Sequence, residues 1–430
     1  MRFACPATAD TFLEPFLHPL DGCHTLGGWG VRHKKKTATA PAASLLSAVV
    51  KVRSPLRAGG GTPSLRVAAL RVARTPPPAL RAGLRKNAVL SACTLHTMSA
   101  TAPWAALKTS VHEGSKAPKA RGGHTTTLVE KNLLVQGGQQ HKNAGVFEYF
   151  SCNPTVLDTE THTWFEPRVA LGKGPIARAY HTATRVGGEL FLFGGSTQKN
   201  GDCITGVLGD MPVFDLVRMA WDTKDVRGRK PRARFMHSAA LCDGKLFVFG
   251  GSDGKKSLSD VSVLDVATML WSMPSCSGGL SMGLQAHSCT LAGDKLYIVG
   301  GMNVSNDEQG HSFIKYSSDV FTLNLVTMDW QRLRRRGEQP TGRAYHGAAV
   351  VGNFLVLLGG WSGQVEQVDT ISTLDLDGLG TWATVTVPGQ PPTGVYGHTA
   401  TVIGSNILIF GGWDGVSPLA TVNVLDTTKL

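Results

Sequence analysis

Six histidines, His124, His181, His237, His287, His346 and His398, each stand thirteen residues ahead of a Gly-Gly pair. Imidazole is the side chain that most readily moves protons or ligates metals near neutral pH. A reacting centre needs such a group once, whereas a scaffold built six times places it six times. These histidines therefore read as groups satisfied within the fold. Three residues ahead of the histidine, four copies carry an arginine, at Arg121, Arg178, Arg234 and Arg343, and the other two carry Leu284 and Val395. Tyr180 and Tyr345 directly precede their histidines, Tyr396 lies one place further upstream of its own, and Trp361 and Trp413 directly follow Gly-Gly pairs. Arginine, tyrosine and tryptophan dominate the energetics of protein interfaces, and a guanidinium fork matches a carboxylate through two parallel hydrogen bonds. The candidate binding set is therefore Arg121, Arg178, Arg234, Arg343, Tyr180, Tyr345, Trp361 and Trp413. For the arginines a second reading stands beside this one, in which they bond backbone carbonyls between neighbouring repeats.

Other chemistries lack their signatures. No Gly-x-Ser-x-Gly, His-Glu-x-x-His or Walker-type phosphate loop occurs, so hydrolase, zincin and NTPase readings have no nucleophile, metal or phosphate cradle. The eight cysteines are scattered without a Cys-x-x-Cys pair, which argues against a zinc site or a disulfide framework and for free thiols in a reducing compartment.

The elements that position these residues repeat with them. The Gly-Gly pairs at 137, 194, 250, 300, 359 and 411 are 50 to 59 residues apart and each follows an apolar run. From histidine to glycine pair each copy reads as a β-hairpin, as in His181 to Val186, a turn at Gly187-Gly188, and Glu189 to Phe193. Five of the six turn dipeptides are Gly/Asn/Asp/Ser pairs suited to positive φ, the exception being Glu130-Lys131. A third strand ends in Asp158, Asp215, Asp265, Asn324, Asp375 or Asp426. Six or seven residues later Trp164, Trp221, Trp271, Trp330 or Trp382 opens a fourth strand, its ring packed between neighbouring sheets.

Four short antiparallel strands per unit of about 50 residues, with glycine-pair and tryptophan landmarks, resemble the kelch repeat of β-propellers. The resemblance implies an all-β, six-bladed β-propeller over residues 101–430, a rigid disc that presents loops to protein partners. The sixth copy ends at Leu430, before its tryptophan, while Trp104 lies upstream of the first histidine. Residues near Trp104 to Leu107 are therefore expected to supply the outer strand of the last blade and close the ring. The residues before each histidine and the loop after each Gly-Gly should share one face, the loop face, with tight hairpin turns on the other. Glycine pair and Asp/Asn are 21, 21, 15, 24, 16 and 15 residues apart, so blades one, two and four carry insertions on the loop face. In kelch adaptors arginines at the repeat position of Arg121, Arg178, Arg234 and Arg343 contact acidic segments, and here they are expected to point toward the central opening.

The expected function is a non-catalytic scaffold, an adaptor or substrate receptor that grips an acidic or carboxylate-bearing segment of a protein partner. It needs no cofactor and works as a monomer. The alternative is a metal-dependent kelch enzyme: Asn303, Asp307 and His311 are spaced like the Glu-x-x-x-Asp-x-x-x-His iron site of nitrile-specifier proteins, with a neutral amide in place of the first carboxylate.

Charge separates the body from a leader. Of 43 Lys/Arg and 31 Asp/Glu, residues 1–100 hold 14 and 3, leaving 29 against 28 in residues 101–430. Whole-chain basicity thus describes the leader, and nucleic-acid binding does not follow from it. No apolar run reaches the roughly 18 to 20 residues of a membrane span. Rich in Arg, Ala and Pro, residues 1–100 read as disordered. They are a retained tail, an over-extended start ahead of Met98, or an organelle-import segment on an otherwise cytoplasmic protein.

Overall fold

A computed structural model describes residues 103–430 except 144–145, 171–173, 199–204, 281, 307–310, 335, 365–369, 378–379, 390 and 393–394. The expected leader lies outside the described residues. Six antiparallel sheets carry the repeats. In blade two the strands are Thr182–Val186, Glu189–Phe193, Pro212–Asp215 and Ala220–Thr223. Their first members meet those of the adjacent blades around a closed ring, the strand Thr399–Ile403 of blade six returning to Thr125–Val129 of blade one.

Burial explains the pattern of each strand. First strands such as Thr125–Val129 and Ser238–Cys242 are small, mixed and half-buried, because six of them converge on the axis. Second strands are continuous apolar runs because both of their faces are covered. In Leu190-Phe191-Leu192-Phe193, Leu190 and Leu192 pack with Leu134 and Val156 of blade one, and Phe191 and Phe193 with Val248 and Trp271 of blade three. Each outer-strand tryptophan leans on the preceding blade: Trp330 on Phe247 and Phe249, Trp382 on Tyr297 and Val299, Trp164 on Leu408 and Phe410. Trp221 alone is half-exposed, its Nε1 donating to Asn153 Oδ1 at 2.7 Å.

Closure follows the expectation. Trp104–Ala106 pairs antiparallel with Val422–Asp426, in the register Trp104 with Leu425 and Ala106 with Asn423. Trp104 is 6% exposed and fills the seam between blades five and six, among Val356, Ile371, Ile407 and Leu425.

Two features were not anticipated. Blades one and three gain a fifth, parallel edge strand, Ser110–Val111 and Arg227–Gly228. The three long connections are hairpins with sheets of their own, Gln139–Asn143 with Val146–Tyr149, Ser196–Gln198 with Thr205–Val207, and Met302–Asn306 with Ser312–Tyr316. At the opposite end of the blades the turns take the expected positive φ, and even Glu130 adopts 55°.

Candidate binding face

The loop face is built on a seam that recurs at every blade boundary. The second glycine of each pair donates its N–H to the carbonyl three residues before the next blade's histidine: Gly138 to Arg178, Gly195 to Arg234, Gly301 to Arg343, and finally Gly412 back to Arg121, each at 2.8 Å. The close approach requires glycine. At Gly194 (φ 63°) a Cβ would lie 2.4 Å from the Arg234 carbonyl oxygen and 2.9 Å from Cε1 of His237.

The arginines lie inside this seam, which corrects the expectation that they reach toward the central opening. Arg178 and Arg234 are 0% exposed, Arg343 1% and Arg121 6%. Each donates through Nε to the carbonyl two residues earlier and through Nη1 to the carbonyl of the first glycine of its own blade, Gly137, Gly194, Gly250 or Gly359. Arg178 also forks onto Asp210 with both oxygens at 2.8 Å, and Arg234 onto Asp260 at 3.1 and 2.7 Å. Arg121 stacks instead over the Phe150 ring, 4.3 Å from its centroid. Burial lowers the guanidinium pKa of Arg121 and Arg343 to about 10, with Glu148 opposing the shift at Arg121. In blades one, two, three and five the buried guanidinium groups hold the entering chain against the segment at the glycine pair.

The histidines form a second ring. Nε2 of each meets the hydroxyl of the residue that follows the preceding blade's histidine: His181 with Thr125, His237 with Thr182, His287 with Ser238, His346 with Ser288, and His124 with Thr399, at 2.8 to 3.2 Å. His398 breaks the series, because the corresponding residue is Gly347 and its buried Nε2 has no partner among the described residues. Burial holds all six imidazoles neutral, with pKa values of about 3 at His181, His287 and His346 and about 4 at His398.

One place before the histidines lies a feature that sequence reasoning missed. Gly123, Tyr180, Met236, Ala286, Tyr345 and Gly397 all take positive φ, between 53° and 67°. Their backbones donate around the axis in one direction, Tyr180 to Gly123, Met236 to Tyr180, and on through Ala286, Tyr345 and Gly397 back to Gly123, at 2.7 to 2.9 Å. Only the glycines in two copies hinted at this geometry. The ring narrows the central opening to a cavity of about 150 Å³. Above it stand Tyr180 and Tyr345, with centroids 5.8 Å apart, and the Tyr345 hydroxyl 3.2 Å from the Met236 sulfur. The structure thus brings Tyr180 and Tyr345 together at the axis. It sets Trp361 against Tyr396 at 5.5 Å over blades five and six, and buries Trp413, 7% exposed, over Gly122 of blade one.

Of the Asn303, Asp307 and His311 pattern, Asp307 lies outside the described residues. The Asn303 amide donates to the Gly283 carbonyl at 2.8 Å, its oxygen accepts from Ser305, and His311 is exposed. No group of three or more metal-binding side chains occurs among the described residues. Cys152 and Cys289 are free thiols whose pKa burial raises to about 11 and about 12, which keeps them protonated and unreactive.

Six four-stranded repeats stitched through glycine pair and histidine and closed by an N-terminal strand define a kelch β-propeller. A family model described as the KLHDC2/KLHL20/DRC7 Kelch-repeats domain matches residues 86–301 and 286–430, and the chain belongs to that family. Among curated proteins it is similar to Kelch domain-containing protein 3 of Homo sapiens, 30% identical over 260 residues that make up 58% of this chain and 63% of the relative. Acyl-CoA-binding domain-containing protein 5 of Arabidopsis thaliana is 26% identical over 343 residues, 78% of this chain and 42% of that protein. Host cell factor 1 of Rattus norvegicus is 25% identical over 329 residues, 69% and 15% respectively. The chain therefore spans less than two thirds of the length of these relatives. Propellers of this family are generally binding modules. Among the described residues no helix is long and apolar enough to cross a membrane.

Proposed function

We propose that the propeller is a non-catalytic protein-binding scaffold, an adaptor or substrate receptor whose loop face receives an acidic or carboxylate-bearing segment of a protein partner. The observation that carries this reading is the asymmetry of the disc. All three inserted hairpins rise beside the aromatic side chains of one face, while the other face has tight turns. A binding surface gains from such rigid support, since little conformational freedom is lost when a partner docks. Tyr180, Tyr345 and Trp361 supply the aromatic part of the surface, and Trp413 supports it from a buried position over Gly122. Arg121, Arg178, Arg234 and Arg343 contribute from beneath, fixing the loops through the carbonyls they hold.

The test is capture of partners by the full chain, followed by affinity measurements on Trp361→Ala and Tyr345→Ala beside Lys245→Ala, whose lysine is exposed at a hairpin turn of the opposite face. Loss of about tenfold or more in affinity for the aromatic variants with Lys245→Ala unchanged supports the reading. Binding impaired by Lys245→Ala alone moves function to the other face and overturns it.

A further inference from the structure

With the repeat arginines buried, the cations able to meet an acidic partner stand elsewhere. We propose that the acidic segment is held in a cleft of blade three, between the strap Arg227–Arg232 and the loop that follows Gly250-Gly251. This inference rests on the scaffold reading above and names the part of the loop face that does the gripping. The cleft has a volume of about 370 Å³; Arg229, Lys230 and Arg232 line one side, Lys256 the other, and the half-buried Met273 contributes apolar surface beside Leu258, which is itself buried.

Both walls are fixed by backbone bonds. Gly228 (φ 81°) lets the strap lie against the outer strand of blade three, where a Cβ would meet the Trp271 carbonyl oxygen at 2.2 Å. On either side of it Arg227 donates to Met269 and Arg229 to Trp271, both at 3.0 Å. Pro231 is buried, and the Arg232 carbonyl is held by Arg234 Nε at 3.1 Å. Opposite, the Asp253 carboxylate accepts from the amides of Lys255 and Lys256 at 3.0 Å, and Leu258 donates to Gly251 at 2.7 Å. The cationic side chains therefore project from a preorganised frame.

Their charge is not cancelled locally. Among the described residues Arg229, Lys230 and Lys256 have no carboxylate within ion-pair distance, and Arg232 has only Asp253, at 3.8 Å. Asp260, the acid that lines the cleft, is already forked by Arg234. Since residues 101–430 as a whole are nearly neutral, with 29 basic and 28 acidic side chains, this cluster is a local excess with a direction of its own.

The form of the cleft selects among anions. A single phosphate is best held by backbone N–H groups converging on one point, but here the amides of Arg229, Lys230, Lys255 and Lys256 all donate within the protein. No aromatic side chain lines the cleft for a base to stack on. Dispersed cations on two walls, with a leucine and a methionine between them, fit a peptide whose carboxylates are spread along the chain and interspersed with aliphatic side chains.

The experiment measures fluorescence anisotropy of labelled peptides with the full chain and with the full chain carrying Arg229→Glu, Lys230→Glu and Arg232→Glu. The basic leader is common to both, so the difference between them reports the cleft. The probes are a twelve-residue peptide of alternating acidic and leucine residues, its Asn/Gln counterpart, a counterpart with phosphoserine replacing the acids, and a single-stranded oligonucleotide. The expected result is a loss of about tenfold or more for the acidic peptide, with Lys256→Glu losing in the same direction and the amide peptide not discriminating. Because these side chains are exposed, the melting temperature should be unchanged, and a variant with glutamines at the three positions guards against misfolding by showing an intermediate loss. Equal affinity of the two chains for the acidic peptide overturns the proposal, as does a larger difference for the phosphoserine peptide or the oligonucleotide. Partner binding that survives the triple variant but fails in Trp361→Ala removes the cleft and leaves the scaffold reading standing. Binding lost only in Lys245→Ala removes both.

Discussion

Nε2 of His398 faces Gly347 across the seam between blades five and six, and a Cβ at Gly347 would lie only 2.6 Å from it. At the other five seams a serine or threonine hydroxyl occupies this place and bonds the imidazole. Here the blades have closed into the space a side chain would take, leaving a buried ring nitrogen without a partner among the described residues. This seam therefore depends on packing, and Trp104 supplies much of it from the same boundary.

Restoring a hydroxyl at this position is accordingly not expected to stabilise the ring. The added Cβ of Gly347→Ser also lies 2.9 Å from Cβ of Ala400, so the blades must separate to admit it. Overpacking of this kind costs about 1 to 3 kcal/mol. Urea unfolding measures it, and a gain in stability would show that the seam opens freely enough to complete the histidine ring.

Acid should destabilise the propeller through the imidazoles. The folded-state pKa values of about 3 for His181, His287 and His346 and about 4 for His398 lie below the ordinary 6.5. Above pH 6.5 both states are neutral and nothing is lost. As pH falls from 6.5 toward 3 the unfolded chain binds protons that the folded chain excludes, so stability declines, by up to about 1.4 kcal/mol per histidine per pH unit. His398→Phe removes one such site at the position with no hydroxyl partner and should flatten the decline by about one proton. A melting temperature independent of pH between 7 and 4, the range probed, would contradict the prediction.

Arg234 and Arg229 should behave oppositely. Arg234→Ala strands the Gly250 carbonyl and the inner oxygens of Asp260, and because Asp260 is partly open to water the expected loss is about 2 kcal/mol or more rather than that of a sealed ion pair. Lysine does not rescue it, since one ammonium cannot serve Arg232, Gly250 and Asp260 together. Arg229→Ala leaves chemical stability unchanged within about 0.5 kcal/mol. Chemical denaturation of the three variants checks the contrast.

Trp104→Ala should cost about 3 to 5 kcal/mol, the range for truncating a buried aromatic. Removing residues 98–112 takes away the whole edge strand and exposes the backbone of Val422–Asp426, which should make the protein prone to association. Size-exclusion profiles and urea midpoints identical to those of the full chain would contradict the pairing of Trp104 with Leu425.

The repeat and its closure were legible in the residues alone, because strand content, glycine pairs and tryptophans are local signals repeated six times. Even the outer strand at Trp104 followed from a missing tryptophan at one end and a surplus one at the other. The direction of the arginines was not legible. Arg178 is three residues from His181 in any reading, but whether its fork meets solvent or the Gly194 carbonyl and Asp210 depends on how the segment entering blade two folds against the loop after that blade's own glycine pair. The strap at Arg229 to Arg232 was not singled out by its sequence, because its cations form a cleft only once Gly228 lays it against Trp271, opposite Lys256. Composition and spacing thus determined which residues the protein has to work with. Tertiary structure decided which of them are buried, since burial depends on surfaces contributed by residues distant in the chain.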